Sequence, residues 1–272
     1  MFSLTLFKRE MKANIKLLTI FIYILTLYII MIVYMFNPSS GTGWDAIIKL
    51  MPDIMKAAGF TAGGNTLIGS VATGLYGMIV LMVPMVFSII LANKLIAGYV
   101  DRGSMAYLLA TPNKRVKLAL TQALCLWVSV GILIIYTTVA IIISSAIMHP
   151  GMLDIGKLVL MNVVLYFLHI AISGICFFAS CISNDTKRSF SIGAGIPIVF
   201  FLIQMLANLG GKLANLKYFT IFTLFNTNDI IAGKSVAVPS IIISSSGHCI
   251  IWNWYIYLFK KRYTRIRMGF CI

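Results

Sequence analysis

The sequence predicts an all-α integral membrane protein with six transmembrane helices, an N-terminal amphipathic interfacial helix and both termini in the cytoplasm. Three observations predict it. Of 272 residues, 60% are hydrophobic and only 11% are charged, against about 25% charged in a typical soluble domain, and mean hydropathy is +0.96. Six runs of uncharged apolar residues are each long enough to cross a bilayer. The Lys and Arg residues then fall unevenly on the two sides that six crossings would create.

The runs cover residues 17–36, 68–92, 118–147, 158–181, 189–209 and 236–259. None contains Asp, Glu, Lys or Arg. A charge at mid-span costs roughly 2.5–3.5 kcal/mol on insertion scales, so the absence supports each assignment. The domain organisation is therefore an amphipathic segment at 1–16, a six-span domain at 17–259 and a basic tail at 260–272. In the first segment Phe2, Leu4, Leu6, Phe7 and Met11 mix with Lys8, Arg9 and Lys12. That pattern suits a short helix lying along the inner membrane surface. The first run is too long for a secretory signal and ends in Tyr34-Met35-Phe36, not in small residues suited to cleavage.

Charge sets the orientation. Lys8, Arg9, Lys12 and Lys16 precede the first run; Lys94, Arg102, Lys114, Arg115 and Lys117 fill the second loop; Lys187 and Arg188 fill the fourth. Lys260, Lys261, Arg262, Arg265 and Arg267 follow the last run. These sixteen lie on one side, and Lys49, Lys56, Lys157, Lys212, Lys217 and Lys234 on the other. The positive-inside rule places the sixteen, with both termini, in the cytoplasm. It also accounts for the net charge of +15 without a nucleic-acid partner.

Of the outer loops, the first opens with the turn signal Pro38-Ser39-Ser40-Gly41. Trp44, Ile47, Ile48, Met51, Ile54 and Met55 then recur near helical spacing and predict a short surface helix. Tyr218 to Phe225 is apolar but too short to cross, and predicts a re-entrant or interfacial segment before the last span. Trp252, Trp254, Tyr255 and Tyr257 precede Lys260-Lys261-Arg262, an aromatic belt followed by a basic anchor.

Catalytic and cofactor motifs are missing. The five cysteines form no CxxC pair, so neither a zinc site nor a disulfide framework is expected. There is no H-E-x-x-H and no G-x-S-x-G. His169 and Ser173 share a helix face and could form a nucleophile–base dyad. The commoner arrangement has the Ser bonding its own backbone and the His a neighbouring span. Asn162, His169 and Gln204 are polar residues within spans, as is Asn253; they could line a substrate path or bond between helices. Gly233-Lys234-Ser235 matches only the last three positions of a phosphate loop, and Asn228 stands where its first Gly should be. No cofactor is expected in this chain, and active transport would need ATP used by another subunit.

The most distinctive segment is the second loop, 93–117. Asp101-Arg102-Gly103 makes a polar turn, Met105 to Ala110 is apolar, Thr111-Pro112 is a stop, and a basic cluster follows. An apolar stretch such as Tyr107-Leu108-Leu109 in a cytoplasmic loop calls for a partner surface. This segment resembles the loop after the second span in permeases of the type-2 ATP-binding-cassette exporters. There an acidic residue precedes Arg/x-Gly-Ser/Thr-x-x-x-Leu-Leu-x-x-Pro-x-x-Arg. Gly103, Ser104, Leu108, Leu109, Pro112 and Arg115 match, and Asp101 stands where the family usually has Glu. The layout of the whole chain is similar too.

The resemblance implies a bacterial permease subunit in the cell membrane that pairs with a second permease copy or homologue and with two cytoplasmic ATPase subunits. Asp101, Arg102, Gly103, Ser104, Tyr107, Leu108, Leu109, Pro112 and Arg115 would form its ATPase-coupling loop. Richness in Ile, Lys and Asn suggests a low-GC bacterium. The alternatives are an intramembrane enzyme using His169 or Ser173 and a non-transporting scaffold.

Overall fold

The computed structural model describes residues 3–37, 41–42, 48, 50–60, 66–103, 115–183 and 185–231. The sixth apolar run, the aromatic belt and the basic tail lie outside the described residues, as does Asn253. Among the described residues five helical segments are long and apolar enough to cross a membrane: Leu4–Met35, Leu67–Asp101, Lys117–Met148, Ile155–Ile182 and Thr186–Asn208.

Helix α1 (Leu4–Met35) is uninterrupted. No break in the helix falls at residue 16, and the basic segment is continuous with the apolar run. The reason lies in the spacing of its buried residues. Glu10, Asn14, Phe21, Leu25, Ile29 and Val33 recur at intervals of four or seven, with Ile32 beside them. One inward stripe thus runs through the basic segment and the apolar span alike. Ile20, Tyr23, Leu27, Met31 and Tyr34 face outward, as lipid requires. After α1, the two-residue strands β1 (Phe36–Asn37) and β2 (Gly41–Thr42) pair antiparallel, with Phe36 opposite Thr42. Pro38, Ser39 and Ser40 of the expected turn lie outside the described residues, and Gly41 opens β2.

Helix α2 (Pro52–Ala57) overlaps the last part of the surface helix expected in the first loop and runs two residues beyond it. Pro52 opens it, and Asp53 and Lys56 complement its dipole. Trp44 and Ile47 lie outside the described residues.

The second span is segmented. It comprises α3 (Leu67–Val71), a π-turn (Ala72–Tyr76), α4 (Ile79–Leu95) and α5 (Ala97–Asp101). Thr66 caps it by accepting the Gly69 N–H at 3.3 Å. Beyond the π-turn, Gly77 lies against Gly59. A Cβ on Gly77 would sit 2.7 Å from Thr73 O and 3.2 Å from Gly59 O, so the chain passes there only without a side chain. Pro84 is inside α4. At Ile96 the backbone leaves helical dihedrals, with φ −125° and ψ −65°.

Helices α6 (Arg115–Met148), α7 (Ile155–Ile182) and α8 (Thr186–Asn208) complete the bundle. Asp154 and Asp185 cap α7 and α8 by accepting the N–H groups of Lys157 and Arg188. Helix α7 is central: 67% of its apolar 18-residue stretch is buried, against 22% for that of α8 and 28% for that of α1. Leu165, Leu168 and Ile172 of α7, Leu25 of α1, Leu91 of α4 and Leu126 of α6 are fully buried in the common core.

The segment after α8 does not cross. Two 3₁₀ helices, Gly211–Phe219 and Ile221–Leu224, lead to the short helix α9 (Thr227–Ile231). The Thr220 hydroxyl donates to Phe200 O, two turns back from the end of α8. Phe222 packs edge-on against Phe201 at 5.7 Å, and Phe225 lies 6.1 Å from Tyr76. Phe222 and Ile230 are each 1% exposed. This segment dips back into one end of the bundle, as its apolar residues and short length predict.

Helix directions follow from paired contacts. Ser3 N–H donates to Thr121 Oγ1 at one end of α1 and α6, and His149 Nε2 bonds Val33 O at the other; these helices are parallel. Helices α4 and α7 are also parallel, through Val80 with His169 and Ala92 with Ser180. The Lys94 ammonium reaches Ala13 O at 3.4 Å, so α4 runs opposite to α1. Cys176 Sγ reaches Gly193 O at 3.3 Å across the short α7–α8 connection.

One end of the bundle therefore collects the start of α1, α5, the start of α6, the end of α7 and the start of α8. It carries Lys8, Arg9, Lys12, Lys94, Arg102, Lys117, Lys187 and Arg188. The far end carries Lys56, Lys157, Lys212 and Lys217.

Candidate functional site at the basic end of the bundle

The root of the second loop is α5. Its last residue, Asp101, accepts a hydrogen bond from the Thr186 hydroxyl through Oδ2. This ties the loop to the first turn of α8, where Asp185 Oδ1 accepts the Arg188 N–H at 2.7 Å and Asp185 Oδ2 lies 3.6 Å from Arg188 Nε. Gly103 then turns the chain with φ +68°, a left-handed conformation that a Cβ would strain. Its N–H bonds Val100 O at 3.1 Å and closes α5. Asp101, Arg102 and Gly103 are all exposed. Arg115 opens α6. Ser104, Tyr107, Leu108, Leu109 and Pro112 lie outside the described residues.

A second tie joins α5 to α1. The Tyr99 hydroxyl donates to Glu10 Oε1 at 2.7 Å. Glu10 is only 2% exposed, so its carboxyl faces protein rather than solvent. Asn14 Nδ2 donates to Glu10 O at 2.8 Å, one turn along. The third tie is Ser180 of α7, fully buried. Its hydroxyl accepts the Ala97 N–H at 3.1 Å and donates to Ala92 O at 3.0 Å. One side chain thus spans the break between α4 and α5. The loop root is held to α1, α7 and α8 at once. Sequence reasoning found Asp101 through its motif. It missed Glu10, Tyr99 and Ser180, because nothing in their spacing pairs them.

The residues considered for a substrate path do not lie on one surface. Asn162 and His169 are buried on α7 at 4% and 0% exposure. His169 Nε2 bonds Val80 O at 3.3 Å. Gln204 belongs to a network at the far end: its Oε1 accepts from Thr223, its Nε2 donates to Asn208 Oδ1, and Asn208 Nδ2 donates to Ala57 O. Ser173 donates to Ile170 O at 2.9 Å. The His169 ring and the Ser173 hydroxyl therefore each bond backbone carbonyls, not each other. Among the described residues no group of three or more His, Cys, Asp or Glu is placed to hold a metal ion.

The model of the family described as ABC-2 family transporter protein matches residues 4–232. The chain belongs to that family. It is a permease-type, multi-pass membrane component of an ABC transporter, and this family is the non-catalytic transport part of such systems. The match covers all five described spans and the whole second loop, and ends before the run at 236–259. No curated protein and no solved structure matched the chain.

Proposed function

We propose that this ABC-2 permease is the membrane subunit of an ATP-driven exporter. It works as a pair with a second permease. Separate cytoplasmic ATPase subunits dock on its second loop, residues 93–117, and the basic end of the bundle, with both chain termini, faces the cytoplasm. The observation that carries this reading is the anchoring of the loop root. Asp101, Tyr99 and Ala97 each bond a different helix, α8, α1 and α7. A push on a loop so held is delivered to several spans together, as coupling requires. The gathering of basic residues at that end supports the orientation. The apolar stretch Tyr107-Leu108-Leu109 supplies a face that a groove on a partner would bury.

The test is Leu108→Asp in the full chain. An ionised carboxylate in an apolar contact carries a penalty of several kcal/mol. The tagged variant should insert normally, since Leu108 lies outside every apolar run, but should lose the ATPase that co-purifies with the wild type and lose ATP-dependent export. Normal co-purification together with normal export would remove the coupling assignment.

A further inference from the structure

Of the places where the second span departs from a regular α-helix, α7 answers two. In an α-helix the N–H of residue i+4 bonds the carbonyl of residue i. Val80 O would take the N–H of residue 84, but residue 84 is Pro and has none. Within a bilayer no water replaces it, and a carbonyl freed by Pro must find a donor on a neighbouring helix. His169 Nε2 stands 3.3 Å from Val80 O. A carbonyl only accepts, so Nε2 carries the proton and donates. The second break is at Ile96. There the Ser180 hydroxyl serves both sides, donating to Ala92 O and accepting from Ala97 N–H. His169 and Ser180 are eleven residues apart, three turns of α7, and so share one face. Both are fully buried.

We propose that His169 and Ser180 are positioning residues of this permease: each supplies a hydrogen bond at a break in the second span, and together they set the angle at which α5 leaves it. The inference rests on the coupling reading only for what that angle is used for. The bonds themselves stand or fall on their own chemistry. His169 is then neither a nucleophile's base nor a pathway ligand. It is the donor that Pro84 lacks.

Proline makes the first bond testable, because its demand can be removed. Pro84→Ala restores an N–H that can bond Val80 O within the helix. Full-length chain in detergent micelles would be unfolded by SDS titration, without any ATPase present. His169→Leu should lower the folded-to-unfolded ratio roughly three- to eighteenfold, from the mean to the maximum effect of single interhelical hydrogen bonds in membranes. In the Pro84→Ala background the same change should cost less than about twofold. Equal losses in both backgrounds overturn the inference. If His169→Leu alone does not fold, the double variant should; failure of both to fold also overturns it.

For Ser180, spin labels at the exposed positions 12 and 102 would report the placement of α5 against α1. Ser180→Ala should turn one narrow distance distribution into a broad or displaced one. A distribution identical to that of the parent removes Ser180 from the proposal. These readings need no partner subunit. Absence of a co-purifying ATPase would defeat the coupling reading while leaving the double-variant result to decide this one.

Discussion

Tyr99→Phe removes one atom and leaves the ring in place. The lost hydroxyl donates to Glu10 Oε1 at 2.7 Å, and Glu10 is 2% exposed, so water has little access to replace it. Hydrogen bonds to charged groups contribute about 1.5–3 kcal/mol, and a buried acceptor left without its donor loses about that much. The folded state of Tyr99→Phe should therefore lose about 1.5–3 kcal/mol, or roughly ten- to hundredfold in the unfolding equilibrium.

The assay is equilibrium unfolding of the purified full chain in mixed micelles. Glu10→Leu provides the cycle, since it removes the acceptor. With Leu at position 10 that acceptor is gone, and Tyr99→Phe should cost at least about 1 kcal/mol less than in the parent background. A loss below about 0.5 kcal/mol in the parent background, or equal losses in both backgrounds, would refute the strap between α1 and α5.

Gly77→Ala would place a Cβ 2.7 Å from Thr73 O. It should destabilise by about 1–3 kcal/mol, seen as a lower thermal midpoint, and an unchanged midpoint would contradict the close approach to Gly59. Asp154→Ala deletes the cap of α7 and should cost about 1 kcal/mol. Most of that should survive high salt, because the exposed Lys157–Asp154 pair at 3.6 Å contributes little. For topology, single cysteines at Ser40, Pro150 and Ser235 in a cysteine-free chain should react with an impermeant label from outside intact cells. Reaction of a cysteine at Ser104 from outside would overturn the orientation.

Spans were the most legible feature, since length and absence of charge are properties of the residues themselves. Three of the five spans that can be compared have both ends within about three residues of the expected positions. The first starts far upstream because Glu10 and Asn14 continue its buried stripe, and the second runs on through α5 to Asp101. Composition hid that: a polar residue facing protein reads the same as one facing water. The re-entrant segment was legible from length alone. His169 was visible as a polar residue inside a span, but no one-dimensional pattern joins it to Val80, 89 residues away. Ser180 carried no signal, because the break at Ile96 involves neither Pro nor an adjacent charge. Gln204 was grouped with Asn162 and His169 on polarity, and separates from them because α8 presents it to the far-end loops.

The uninterrupted α1 has 32 residues and so extends about 48 Å, while the hydrocarbon it crosses is about 30 Å thick. A stiff rod longer than the slab it pierces behaves as a lever. Its short arm is gripped by α5 through Tyr99 and Glu10; its long arm ends where His149 bonds Val33 O and packs edge-on against Phe36 at 5.2 Å. The second span, cut by a π-turn, a proline and the Ile96 bend, has the opposite mechanics. It can flex where α1 cannot. One unbroken helix therefore joins the Tyr99–Glu10 strap to the His149 contact at the opposite end of the bundle, whereas the second span reaches across only through three joints.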